Sequence, residues 1–368
     1  MINEIVRTKQ DSKLALKKAK KLFDITNTIL DKNSGGPKFQ FYLPKNSDLT
    51  RITIHAIDSK NPVILEIQND FLMHEANICL LKRSQVALQR GKKVLLIVPS
   101  NFLKYVIESK INIDAVQHKI VFTLDEIEKE VVKLNSRYDE IFIFSQCSLK
   151  TLLLLKSIST EISCIKTFDT AIDLQKYLPI NECFMLDDII YPPFEIFDFA
   201  RQFLPKNSRY NDLDFLKRLK RINSGADKPC ALKLKTFNQE IDVIKDILEE
   251  YPYDNIVISL PNTDDSYTTQ LSVEKYYKVL NKHFACSKYY NNIRIKNLHN
   301  IVITDCENAF HLNGYIDILI LPQFNKIKNL LSKNTIFTLL CRPKDQLYIF
   351  SDNFSEYGKF ANKATCCE

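Results

Sequence analysis

Two tandem α/β lobes, each built on a parallel sheet, are the fold class this sequence predicts. Three observations lead there. Short apolar, β-prone runs alternate with helical patterns from about Asn61 to Phe350. Runs such as VLLIV show no polar alternation, the pattern of strands covered on both faces. And a chain of 368 residues suits about two domains of roughly 100 to 200 residues each.

In chain order, MINEIVRTKQDSK carries charge but no apolar stretch of the secretory kind. KLALKKAKKLFDITNTILDK then spaces Ala15, Ala19, Leu22, Ile25 and Ile29 at helical intervals, with Lys17, Lys18, Lys20 and Lys21 around them. It predicts a basic amphipathic helix, either docked on the body or reaching for phosphates. NSGGPK breaks it and reads as a linker. The first lobe follows: NPVILEI, a helix through Glu75 to Gln89, then KKVLLIVPS, KIVFTL, EIFIF and ISCIKTF. DDIIYPPF supplies the prolines of a boundary near Asp187. Two helical stretches, FEIFDFARQFL and LDFLKRLKRI, lead into a second series, CALKLK, NIVISLP, NIVITD, DILILP and QLYIF. The expected division is 1–36, 37–187 and 188–368.

The composition, 45% hydrophobic and 26% charged, is that of an ordinary soluble protein, and no apolar run approaches the roughly 18 residues that span a bilayer. A cytoplasmic protein without a membrane partner is expected. Ten cysteines are scattered without a C-x-x-C pair and six histidines are equally dispersed, so buried thiols are expected rather than disulfides or a metal site. The net charge of +7 mildly favours an acidic polymer as partner.

Open parallel sheets bind ligands at the carboxyl ends of their strands, and phosphates favour the turn between a first strand and its helix. A phosphate loop there needs glycines for close backbone approach, a lysine for the outer phosphates and a hydroxyl for magnesium. After NPVILEI comes QNDFLMHEA, which contains none of these. Asp70 and Glu75 would repel a triphosphate. The chain has six glycines, and the paired Gly35 and Gly36 lie in the linker without phosphate-loop spacing. The strand in YDEIFIFSQCSL ends in Phe144 and Ser145, with no carboxylate for a metal. Neither a cofactor nor a catalytic constellation is expected.

From about Asp48 to Phe350 the order and spacing resemble the two RecA-like lobes of UvrD-type superfamily 1 helicases. SKNPVILEIQND and QRGKKVLLIVPSN resemble the first strand, phosphate loop and motif Ia. YDEIFIFSQCSL is similar to the magnesium-binding strand, usually DEAQD, and IKTFDTAIDLQ to the sensor strand, with Asp169 kept and Ile172 where a glutamine belongs. IIYPPFEIFDFARQFLP is similar to motif IV, IVITDCENAFHLNGYIDILILPQF to motif V, and FTLLCRPKDQLYIF to motif VI. The resemblance puts Glu75 and Ala76 at the phosphate-loop lysine and hydroxyl, Phe144 and Ser145 at the metal ligand and general base, and Tyr191 at the motif IV arginine. Only Arg342, with Lys344 after it, keeps a phosphate-sensing arginine, and alone it has nothing to stabilise.

The resemblance therefore implies a pseudo-helicase, a non-catalytic subunit that binds single-stranded or partly duplex nucleic acid or a protein partner, such as an active enzyme subunit, in a DNA-processing or antiviral defence complex. An ATPase with an unusual or partner-completed site and a pure scaffold are the alternatives. Nucleic-acid binding combines a basic groove with aromatic platforms. Ser100, Asn101, Phe102, Lys104 and Tyr105 stand at motif Ia and Thr123 at motif Ib, unless they are loop polarity and core. Lys217, Arg218, Lys220 and Arg221 form a basic helix, unless it is a solvated face.

Overall fold

The computed structural model describes residues 36–41, 49–67, 72–111, 120–130, 137–167, 172–186, 192–223, 227–262, 266–290, 295, 297–312, 314–351 and 362–364. The amphipathic lysine-rich segment before the linker, Asp169, Asp187 and Tyr191 lie outside the described residues. By contacts the chain divides into Met1–Pro37 and Lys38–Glu368. Both sheets belong to the second unit.

The first sheet contains β1 (Val63–Ile67), β2 (Val94–Val98), β3 (Val121–Thr123), β4 (Glu140–Ile143), β5 (Ile162–Thr167) and β6 (Glu182–Leu186). Its order is β3-β2-β4-β5-β1-β6, with every neighbouring pair parallel. The second contains β7 (Cys230–Lys233), β8 (Ile256–Leu260), β9 (Cys286–Lys288), β10 (Ile301–Asp305), β11 (Ile318–Leu321), β12 (Gln346–Ser351) and β13 (Asn362–Ala364). Its order is β13-β7-β12-β11-β8-β10-β9, again all parallel. The predicted fold class is thus present as six- and seven-stranded parallel sheets in tandem. β6, β9 and β13 have no counterpart among the predicted runs: CSK and NKA are too short and polar to register as apolar strands, and ECFML is a largely exposed edge strand with an acidic start.

Helices cross between strands: α1 (Arg51–Asp58) precedes β1, α2 (Met73–Gln89) and α3 (Asn101–Lys110) flank β2, and α4 (Leu124–Glu130) and α5 (Leu149–Lys156) flank β4. After α6 (Leu174–Tyr177) and β6, the joining segment holds α7 (Phe194–Ala200) and α8 (Leu213–Asn223). The second lobe adds α9 (Phe237–Glu250), α10 (Ser266–Leu280), α11 (Cys306–Ala309), α12 (Phe324–Leu330) and α13 (Lys333–Leu340). Their starts follow local chemistry. Ser100 accepts a hydrogen bond from the Leu103 amide at 3.2 Å, and Thr236 and Gln239 form a capping box before α9.

Strand side chains alternate between faces, and here the alternation divides the interior. Val63, Leu65 and Ile67 of β1, with Leu96 of β2 and Phe142 of β4, join Val257, Val302, Leu319 and Leu347 of the second sheet in one core. The opposite faces form separate cores in each lobe, around Ile64, Leu95 and Ile141 in the first and Ile258, Ile303 and Ile320 in the second. Buried residues from before and after the expected division at 187 and 188 thus belong to one apolar cluster. Of the cysteines expected to be buried, Cys79, Cys164, Cys286, Cys306 and Cys341 are, whereas Cys183 is exposed on the edge strand β6.

Candidate functional site

The cleft that the sequence points to lies where β1 leads into α2, facing the second lobe. Residues 68–71 lie outside the described set, and Leu72, at the cap of α2, makes no side-chain capping bond. Glu75 in the first turn is buried at 6% exposure. Its carboxylate accepts hydrogen bonds from the hydroxyls of Thr50, at 3.1 Å, and Thr53. A negative side chain thus sits at the positive end of a helix, where the dipole would otherwise favour a phosphate.

His74 closes the same region from the next position. Its ring meets Tyr315 edge-on, with centroids 4.7 Å apart. Behind it lies Gly314 at φ +80°, where an added Cβ would overlap the imidazole. Burial, with a smaller contribution from Lys344, pushes the His74 pKa down to about 3. The ring is therefore neutral at physiological pH and acts as packing.

Arg342 enters from the turn between α13 and β12. It is 7% exposed, and its guanidinium carbon lies 5.3 Å from the Phe310 ring centroid. With Met73, Asn77, Ser100, Phe310 and Tyr315 it lines a cavity of about 140 Å³. Arg342 and Met73, at the start of the helix that follows the first strand, thus line the same cavity. The space is about half the lower limit of roughly 300 Å³ for ligand pockets. Burial and the Arg342 charge lower the neighbouring His311 pKa. Lys344 is half-buried, its ammonium 5.9 Å from the Tyr315 ring.

At the magnesium-motif position, Phe144 is fully buried and its amide donates to the Ile97 carbonyl at 2.8 Å. Ser145 is half-buried, and Gln146 accepts from the Thr167 hydroxyl at 3.1 Å. Among the described residues no group of three or more His, Cys, Asp or Glu side chains is placed to hold a metal ion. Asp305, at the end of β10, is occupied as a helix cap, accepting from the Asn308 amide at 2.8 Å.

The motif Ia and Ib candidates require correction as a strand-binding platform. Phe102 is fully buried and packs against Phe39, Phe41, Tyr289 and Tyr315, so its ring offers no face to a base. Lys104 is 7% exposed and its ammonium is held by the Glu126 carboxylate at 2.6 Å. Thr123 is buried, and its amide donates to the same carboxylate at 2.8 Å. Ser100 is buried at the cap of α3, and Asn101 and Tyr105 are half-buried. The physical reason differs by residue: Phe102 is covered by the chain at Phe39 and Phe41 and by Tyr289 and Tyr315 of the second lobe, whereas Lys104 and Thr123 are held within the first lobe by Glu126. On α8, by contrast, Lys217, Arg218, Lys220 and Arg221 are all exposed, while Leu219 faces inward. Lys217 makes a loose ion pair with Asp214 at 3.5 Å, and Lys220 lies 5.5 Å from the Phe194 ring.

Sequence reasoning missed the strap that follows the linker. Lys38 forms an antiparallel bridge with His299, the Phe39 amide donates to the Leu298 carbonyl at 2.8 Å, and Gln40 exchanges hydrogen bonds with the Asn255 side chain at 2.8 Å each. Phe39 and Phe41 are thereby wedged against Phe102 and Tyr105 of α3. The signal available was the F-Q-F alternation directly after the glycines.

No family model matches the chain, and no curated protein matches it. Solved structures do resemble it at low identity. The DEAD-box helicase Mss116 bound to single-stranded RNA and UDP-BeF is 9% identical, covering 87% of this chain and 75% of its own at a TM-score of 0.45. Dbp5 of S. cerevisiae bound to RNA and ADP BeF3 is 11% identical over 84% of this chain and 78% of its own, with a TM-score of 0.39. The C-terminal domain of a possible DNA helicase from Lactobacillus plantarum matches 46% of this chain and 94% of its own at 13% identity and a TM-score of 0.32. The architecture itself rests on this chain's own strand order and register.

Proposed function

We propose that this chain is a non-catalytic, helicase-like protein of the UvrD type, whose nucleotide cleft is closed by its own side chains and whose remaining work is binding. The observation that carries this reading is the filled cleft. Glu75 occupies the helix start, His74, Gly314 and Tyr315 pack it, and about 140 Å³ remains beside Arg342. The basic helix α8, exposed at four cationic positions, supports single-stranded or partly duplex nucleic acid as one partner. A setting in a DNA-processing or antiviral defence complex, alongside a protein partner, follows from the family resemblance alone.

Calorimetric titration with ATP and magnesium tests the loss of the engine, and no saturable heat is expected. Saturable binding that disappears in Arg342→Ala would overturn the pseudo-enzyme reading in favour of an unusual or partner-completed ATPase site. Filter binding of single-stranded DNA over a salt series tests the second half. Replacing Lys217, Arg218, Lys220 and Arg221 by serine is expected to lower the slope of log K against log salt by about 3, since each phosphate contact contributes about 0.7. The burial of Phe102 and Lys104 favours one rival, a pure protein scaffold. Absence of salt-dependent binding by the unaltered chain would decide for it.

A further inference from the structure

A second concavity, of about 610 Å³, lies away from the cleft, between α10 and the edge strand β9. That volume is within the range of roughly 300 to 1,000 Å³ typical of small-molecule sites. Its lining includes Gln270, Glu274 and Tyr277 from the helix, and Lys288, Tyr290 and Asn297 from the strand and beyond. The two charges are engaged with one another. The Lys288 ammonium bonds the Glu274 carboxylate and lies 4.8 Å from the Tyr277 ring centroid. A phosphate inside the groove would meet that carboxylate with its counter-cation already taken.

The lining also carries two aromatic rings, Tyr277, with Lys288 over one face, and Tyr290, together with two side-chain amides. Gln270 and Asn297 each present a donor beside an acceptor, the pattern that complements the edge of a base. The Tyr290 hydroxyl is buried and has no hydrogen-bond partner among the described residues. Burial first, then Glu274 and Asp305, push its pKa up to about 12, so it stays a neutral donor. Unstacked bases of single strands are held by this combination of ring faces and edge hydrogen bonds. Lys278 lies four residues beyond Glu274 on α10 and is exposed, outside the lining of the groove.

We propose that this groove takes one unstacked nucleobase of a single strand, stacked on Tyr277 and hydrogen-bonded by Tyr290, Gln270 and Asn297, with the strand's backbone passing Lys278. The inference rests on the nucleic-acid reading above and adds the class of group that this chain recognises.

Fluorescence anisotropy with the full chain tests it, using a labelled single strand of about a dozen adenine nucleotides and a strand of the same length with abasic sites. Tighter binding of the base-bearing strand is expected. Tyr277→Ala is expected to weaken that binding roughly 5- to 100-fold and to leave abasic binding unchanged. Tyr290→Phe keeps the ring and removes only the hydroxyl, so it tests the groove even if the alanine variant folds poorly, and a loss of about 3- to 10-fold is expected. Equal affinity for both strands would overturn the proposal. So would unaltered binding in both tyrosine variants while the α8 serine variant weakens both strands, an outcome that leaves the nucleic-acid reading standing. No binding of either strand by the unaltered chain sinks both readings.

Discussion

At the residue scale, His74 and Gly314 are packed so closely that no side-chain atom fits between them. Gly314 combines a left-handed backbone, φ +80°, with no room for a Cβ, so Gly314→Ala adds strain and a clash together. A loss of about 2–4 kcal/mol is expected in urea unfolding. His74→Ala should recover part of it in the double variant, because the clash is with that ring. His74 also makes stability depend on pH. Its pKa falls from 6.5 in the free side chain to about 3 in the fold, so below 6.5 the unfolded chain binds the proton that the folded chain refuses. The contribution is present above 6.5 and is lost at about 1.4 kcal/mol per pH unit as pH falls toward 3. Urea midpoints at several pH values should show a flatter acid limb in His74→Phe than in the unaltered chain.

At the element scale, the strap at residues 38–41 pairs with the second lobe through its backbone and with the first through its rings. Phe39 is 4% exposed and touches both Phe41 and Phe102. Truncating a buried phenylalanine costs about 3–5 kcal/mol, and Phe39→Ala is expected to fall in that range by denaturant unfolding. Limited proteolysis should then cut in the joining segment that carries α7 and α8 faster than in the unaltered chain. The strap was only half legible in sequence. NSGGPK announces a break, and F-Q-F announces alternation, but an alternating pair does not say which two surfaces its faces will find.

At the scale of the whole molecule, the shared core between the sheets joins the two lobes of Lys38–Glu368 thermodynamically. Buried residues of both lobes, Leu65 of β1 and Leu319 of β11 among them, belong to one contiguous apolar cluster, so unfolding of one lobe exposes apolar surface of the other. A single cooperative thermal transition is expected for both lobes, with near-ultraviolet and far-ultraviolet circular dichroism coincident. Two resolved transitions in the unaltered chain would mean that the lobes are independent bodies. Separation of the transitions in the Phe39→Ala, Phe41→Ala double variant would locate the coupling in the strap.

The sequence by itself determined the parallel sheets, because VLLIV and IVITD have to be covered on both faces. It also determined that the strand end at Phe144 and Ser145 carries no carboxylate, whatever its surroundings. The cationic face of α8 was legible for a similar reason, as Leu219 is the single apolar position within KRLKR and must turn inward. Only the tertiary structure decided that Phe102 and Lys104 are enclosed, that Arg342 stacks on Phe310, and that α10 and β9 leave a tyrosine-lined groove between them. These depend on which distant surfaces meet. Local periodicity fixes the face a side chain occupies, whereas its exposure is set by the partner that the fold brings to that face.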